Sequence, residues 1–188
     1  MTLTDLIVPT YRQMLAALSA WLAKAEAQLP ADRAAALPAA RLAPDMFPLA
    51  TQVRFACVQA YEAVARLRGE ALPAAVGELL AEGRGAGERP GTLAEARARI
   101  AQVLALLDGL DPGALDGDPD RPLVHVLPDG TTFDLTAGQY ARDWTLPQFY
   151  FHLMIAYALL RRAGVELGKV DYVAHMFAFL RPGTFPGG

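Results

Sequence analysis

Apolar positions return at helical spacing along four stretches of this chain. From Leu3 to Gln28, the residues Ile7, Tyr11, Met14, Leu15, Leu18, Trp21, Leu22 and Ala25 recur every three or four positions, predicting one amphipathic helix. Pro9 either opens that helix at its first turn or kinks a longer one. Pro30 and Pro38 bracket a loop. A second stripe, Met46, Leu49, Val53, Ala56, Cys57, Ala60, Val64 and Leu67, predicts a helix from Pro44 to Leu67, capped by Gly69. Asp45 falls in its first turn, where a carboxylate favours the helix dipole, and Gln52 falls on the edge of its stripe. Residues 68–91 read as a connector. Thr92 to Glu95 is a capping box that opens a third helix along Leu93, Ala96, Ile100, Val103, Leu104, Leu107 and Leu110.

The period then changes. Residues 121–135 alternate and break at Asp129-Gly130, which predicts a small β-hairpin with His125 packed or half-exposed beside Leu123 and Leu127. A fourth helix runs from Thr145 to Gly164, with Thr145 to Gln148 as its capping box and Arg161 and Arg162 at its C-terminal dipole. It is apolar nearly all the way round, so it belongs in the middle of a bundle or against a partner subunit. His152 in its first half needs a partner or a purpose. Val170, Val173, Phe177 and Leu180 predict a short fifth helix, followed by a loose tail from Arg181 to Gly188. Four long helices and one ribbon give an all-α fold, a four-helix bundle with a β-hairpin between helices 3 and 4 and a short C-terminal helix.

Composition narrows the function classes. The chain has 188 residues, enough for one core without staples, and a formal net charge of -3. Its 17 Lys and Arg residues are scattered, which excludes a nucleic-acid footprint. Apolar residues reach 53%, but much of that is alanine, and no run approaches the roughly 18 apolar residues of a membrane span. The N-terminus lacks a basic region and a cleavage site, so a cytoplasmic protein is expected. The glycines from Gly83 to Gly91 do not make a phosphate loop, because no Lys-Ser or Lys-Thr pair follows and no strand precedes. Cys57, the single cysteine, reads as an inert buried thiol. Three dispersed histidines and one buried cysteine assemble no Ser-His-Asp, Cys-His or paired-carboxylate machinery.

Two blocks carry a resemblance. One is Arg41 to Leu49, RLAPDMFPL, followed by Gln52. The other joins FYFHL (149–153), AYALLR (156–161) and GVELGKVDY (164–172). Together they resemble a bacterial branch of the DinB-like superfamily known only as a domain of unknown function. The resemblance covers roughly residues 3–172, which leaves a domain over residues 1–172 and a C-terminal extension over 173–188. It implies a DinB-type four-helix bundle, often dimeric.

Many DinB-like proteins hold a divalent metal, zinc or nickel, with three histidines, one on the second helix and a His-x-x-x-His pair on the last. Aligning Leu160, Arg161 and Gly164 with that helix's ending places His152 on the second histidine of the pair. Gln148 then stands on the first and Gln52 on the second-helix position. Amide oxygens are weak ligands for such ions, so the resemblance implies a degraded metal site at Gln52, Gln148 and His152. Asp45 and Tyr157 are candidates to complete a weaker polar pocket. The expected function is a non-catalytic binding or interaction module with a small-molecule ligand as a candidate partner, and the resemblance implies a homodimer. The alternatives are a metal-dependent thiol transferase or hydrolase, with a metal-activated nucleophile, and a structural homodimer joined through helices one and four.

Overall fold

The structure, a computed structural model, describes residues 1–184. Helix α1 (Leu3–Gln28) is held at its start by a reciprocal capping box between Thr2 and Asp5, and it runs through Pro9 as an interior residue. The segment between Pro30 and Pro38 folds into a short helix, α2 (Ala31–Ala36), with a 3-10 turn (Leu37–Ala39) after it. The second long helix, α3 (Leu49–Arg68), starts after Pro48 rather than at Pro44, and Gly69 ends it at φ +72°. Asp45 therefore lies in the preceding turn and not in the helix.

The predicted connector is not structureless. It contains α4 (Ala74–Gly85), whose Val76, Leu79 and Gly83 face the interior. Gly77, Gly83 and Gly85 hide this helix from propensity, but packing against α3 supplies what propensity lacks. Helix α5 (Leu93–Asp108) opens at the Thr92–Glu95 capping box, as its pattern predicts. Strands β1 (Pro122–Val126) and β2 (Thr132–Thr136) pair antiparallel with Val126 opposite Thr132, and Leu123 and His125 point inward.

The last long helix begins nine residues earlier than its sequence suggests. Thr136 and Gln139 form the capping box, α6 (Ala137–Gln139) passes into a π-helical segment (Tyr140–Thr145), and that segment continues into α7 (Leu146–Arg162). Thr145 has helical backbone angles and caps nothing. Its buried hydroxyl instead bonds to Tyr11 Oη at 2.6 Å and to the Gln59 carbonyl at 3.3 Å. The tail forms one turn, α8 (Lys169–Tyr172), and a 3-10 segment (Ala174–Phe179), neither of which buries a residue fully. Of the tail expected to be loose, residues 181–184 are exposed, and residues 185–188 lie outside the described residues.

Helix α3 packs on α7 and on α5, and α1 closes the ring against the same two, so the order around the bundle is α1, α5, α3, α7. With α4 laid on its remaining side, α3 is the helix buried almost all round. Alanines 56, 60 and 63 let its neighbours approach closely. Helix α7 is less enclosed than its composition implies, because Phe151 and Met154 stay 57% and 41% exposed. Among the described residues no helix is long and apolar enough to cross a membrane.

Candidate functional site

A central helix with polar residues must satisfy them locally. Gln52 occupies the first turn of α3 and is buried, not at the edge of its stripe. Its Nε2 reaches back to donate to the Phe47 carbonyl at 3.1 Å. A carbonyl can only accept, so this bond fixes which end of the amide is nitrogen. The other end, Oε1, lies 2.9 Å from Nδ1 of His152 on α7. Nδ1 therefore carries the proton and donates it to Gln52. Burial pulls the His152 pKa down to about 4, so the ring is neutral at pH 7. In that tautomer Nε2 holds the lone pair; among the described residues it has no hydrogen-bond partner, and the residue keeps 9% of its surface exposed.

Aromatic rings frame this pair. Phe55 and Phe151 each meet His152 edge-on, with centroids 5.4 Å away, and Phe47 lies 5.6 Å from Phe55. Helix α4 holds Phe55 from behind. The Thr51 hydroxyl donates to the Gly83 carbonyl at 2.7 Å, and a Cβ on Gly83 would fall 2.5 Å from Phe55 Cε1. Only glycine lets α4 come this close.

The structure thus joins Gln52 to His152 and leaves the other sequence candidates apart from that bond. Gln148 sits one turn before His152 on α7, half-buried, with no hydrogen bond among the described residues. It is not a capping residue, because the cap stands at Thr136. Asp45 is exposed and makes no hydrogen bond or ion pair among the described residues. Tyr157 turns toward α1, packing on Trp21 at 5.3 Å and Tyr172 at 6.4 Å.

These donors do not fit a three-imidazole metal centre. Gln52 Oε1 is committed to His152, which leaves Nε2 as the one imidazole nitrogen on offer. Among the described residues no group of three or more His, Cys, Asp or Glu side chains lies close enough to hold an ion.

Other candidate chemistry is closed or quiet. Burial pushes the Cys57 thiol up to about 12, so it stays protonated. His125 is packed against Trp144 at 4.6 Å and Tyr140 at 5.4 Å, with neither ring nitrogen bonded. Burial, helped by the charge of Arg66, lowers its pKa to about 4. Sequence reasoning missed Phe47, Phe55 and Gly83 as parts of the His152 surround. The only local signal was that Phe47 lies in the 41–49 block and Phe55 lies three residues after Gln52.

Comparison with known proteins places the chain in a family. The model of a domain of unknown function, DUF1993, matches residues 3–173. The crystal structure of a DinB family member from Shewanella denitrificans is similar, with 34% identity and a TM-score of 0.70, covering 98% of this chain and 96% of that one. No curated protein matches. The helical order, the hairpin before the last helix and these two matches agree: the chain belongs to the DUF1993 family, a DinB-like family of unknown function.

Proposed function

We propose that this protein is a non-catalytic binding module that uses His152 Nε2 as a fixed hydrogen-bond acceptor for a small apolar molecule carrying an N–H or O–H group. The observation that carries this reading is the chain Phe47 carbonyl, Gln52 amide, His152 imidazole. It locks one tautomer and leaves the Nε2 lone pair uncommitted beside phenyl rings. An acceptor in apolar surroundings discriminates strongly between ligands with and without a donor. Catalysis would need a second titrating group or a nucleophile beside the ring, and His152 has neither as a hydrogen-bonding partner. With two of the three family imidazoles replaced by Gln52 and Gln148, zinc or nickel binds weakly on this reading.

The test is an NMR titration with matched aromatic probes, indole against naphthalene and phenol against benzene. The donor-bearing probes should bind about tenfold more tightly at resonances around His152. That preference should vanish in His152→Leu. Equal affinity within each pair would refute the acceptor role.

A homodimer is a second reading, favoured by the exposed Phe151 and Met154 on α7 and by the 47% exposed Phe47, which packs on Phe55. Helix α1 offers no comparable apolar residues, so α7 is the face that would be shared. Sedimentation of the protein and of Phe151→Glu decides it: a dimer that becomes monomeric supports the reading, and a wild-type monomer at micromolar concentration removes it.

A further inference from the structure

A second site lies on another face of α3. Arg54 is only two residues from Gln52, which on a helix turns it away by roughly 200°. It lines an open cavity of about 650 Å³ between α3, α4 and α5, together with Glu82, Arg89, Gly91, Glu95 and Arg99. Arg54 is 5% exposed, an expensive place for a guanidinium. Its Nε donates to Glu82 Oε2 at 2.9 Å and its Nη1 to the Ala50 carbonyl at 3.1 Å. Nη2 has no partner.

Most acceptors around this cavity are engaged, while Glu95 Oε1 has no hydrogen bond among the described residues. Glu82 serves Arg99 as well as Arg54, through both of its oxygens. Glu78 approaches Arg99 at 3.7 Å from outside the lining. Glu95 Oε2 accepts from the Thr92 backbone N–H and hydroxyl in the α5 cap. Arg89, exposed at the edge, has no side-chain partner among the described residues. The lining therefore carries three guanidinium groups against two carboxylates, with donors to spare. Gly91 keeps the wall bare beside the free Nη2. At φ +70°, its Cβ would fall 3.2 Å from Arg54 Nη2 and 2.6 Å from Glu95 Oε2.

We propose that this cavity binds a small oxyanion-bearing molecule, whose carboxylate or phosphate group bridges Arg54 Nη2 and Arg89 while Arg99 borders it. Guanidinium forks match either oxyanion. The cavity is the size of an ordinary small-molecule site. Glu82 has a supporting role: it holds Arg54 and Arg99 in position and leaves the outward donors free. This site is independent of the acceptor role of His152.

The test uses the intact protein, titrated separately with inorganic phosphate and with succinate at constant ionic strength, by calorimetry and by amide NMR shifts. Saturable binding with a Kd of about 1 mM or tighter is expected for at least one probe, with shifts at Gly85, Gly91 and Glu95. A preference for succinate identifies a carboxylate ligand, and a preference for phosphate identifies a phosphorylated one. Arg89→Gln should weaken binding about tenfold and leave the thermal midpoint unchanged, since Arg89 is exposed and unpaired. Arg89→Lys should restore part of the affinity. If Arg54, Glu82 and Arg99 only tie three helices together, neither probe saturates, or binding is equal in wild type and Arg89→Gln. Either result overturns the proposal.

Discussion

Replacing Gln52 and His152 by leucine, singly and together, separates a mutual hydrogen bond from simple packing. In Gln52→Leu the His152 Nδ1–H loses its only acceptor, and the Phe47 carbonyl loses a donor. Rotating the proton to Nε2 does not help, because Nδ1 is then an orphaned acceptor. In His152→Leu the Gln52 Oε1 is orphaned at a residue only 2% exposed. An unpaired buried polar group costs about 1–3 kcal/mol, so each single variant should lose about 2 kcal/mol. The double variant removes both partners and fills their space with apolar atoms. It should lose far less than the sum, near 1–2 kcal/mol, mostly from the Phe47 carbonyl and imperfect repacking. The coupling energy is then about 2–3 kcal/mol in favour of the pair. Urea unfolding at pH 7.5, with the slope checked for constancy, measures all four corners of the cycle. Losses that add within about 0.5 kcal/mol would refute the reasoning, since independent sites behave that way.

Gly83→Ala drives a methyl group to 2.5 Å from Phe55, a ring already set between Phe47 and His152, so overpacking should cost about 1–3 kcal/mol. A thermal midpoint equal to wild type would show that α4 does not hold that ring. Acid should destabilise the protein early. His125 and His152 titrate near 4 when folded and near 6.5 when unfolded, so the unfolded chain takes up their protons first. Stability should hold above pH 7 and fall as the pH drops from about 6.5 toward 4, by up to about 2 kcal/mol per histidine at pH 5. Below that window the depressed carboxyls of Glu82 and Asp171 take over the loss. Urea midpoints that stay flat from pH 7 to 5 would contradict these two buried neutral rings.

The fold was readable wherever its signal was local. The α1 stripe lies within one continuous segment, the Thr92–Glu95 box and the Asp129-Gly130 turn each occupy a few consecutive residues, and each lies where its pattern places it. Helix α4 was hidden because its glycines are unfavourable alone and pay off only where Phe55 and Thr51 meet Gly83. The start of the last helix was misplaced because Thr-x-x-Gln occurs twice. Only Thr136 has the extended backbone of a cap, and a π-helical segment carries the helix past Thr145. Gln52 and His152 stand 100 residues apart, so no spacing rule could pair them. Family resemblance put them in one site, and the structure gives that site a different logic: the amide serves the imidazole. Arg54, Glu82 and Arg99 gave no local sign at all, since three separate helices bring them together.

The most direct test is the long-range 1H–15N spectrum of the His152 ring at pH 7, recorded before and after equimolar zinc is added. The account predicts a neutral ring protonated at Nδ1, with 15N shifts that zinc leaves in place. A charged ring, a proton on Nε2, or a stoichiometric shift of Nε2 on adding zinc would contradict it.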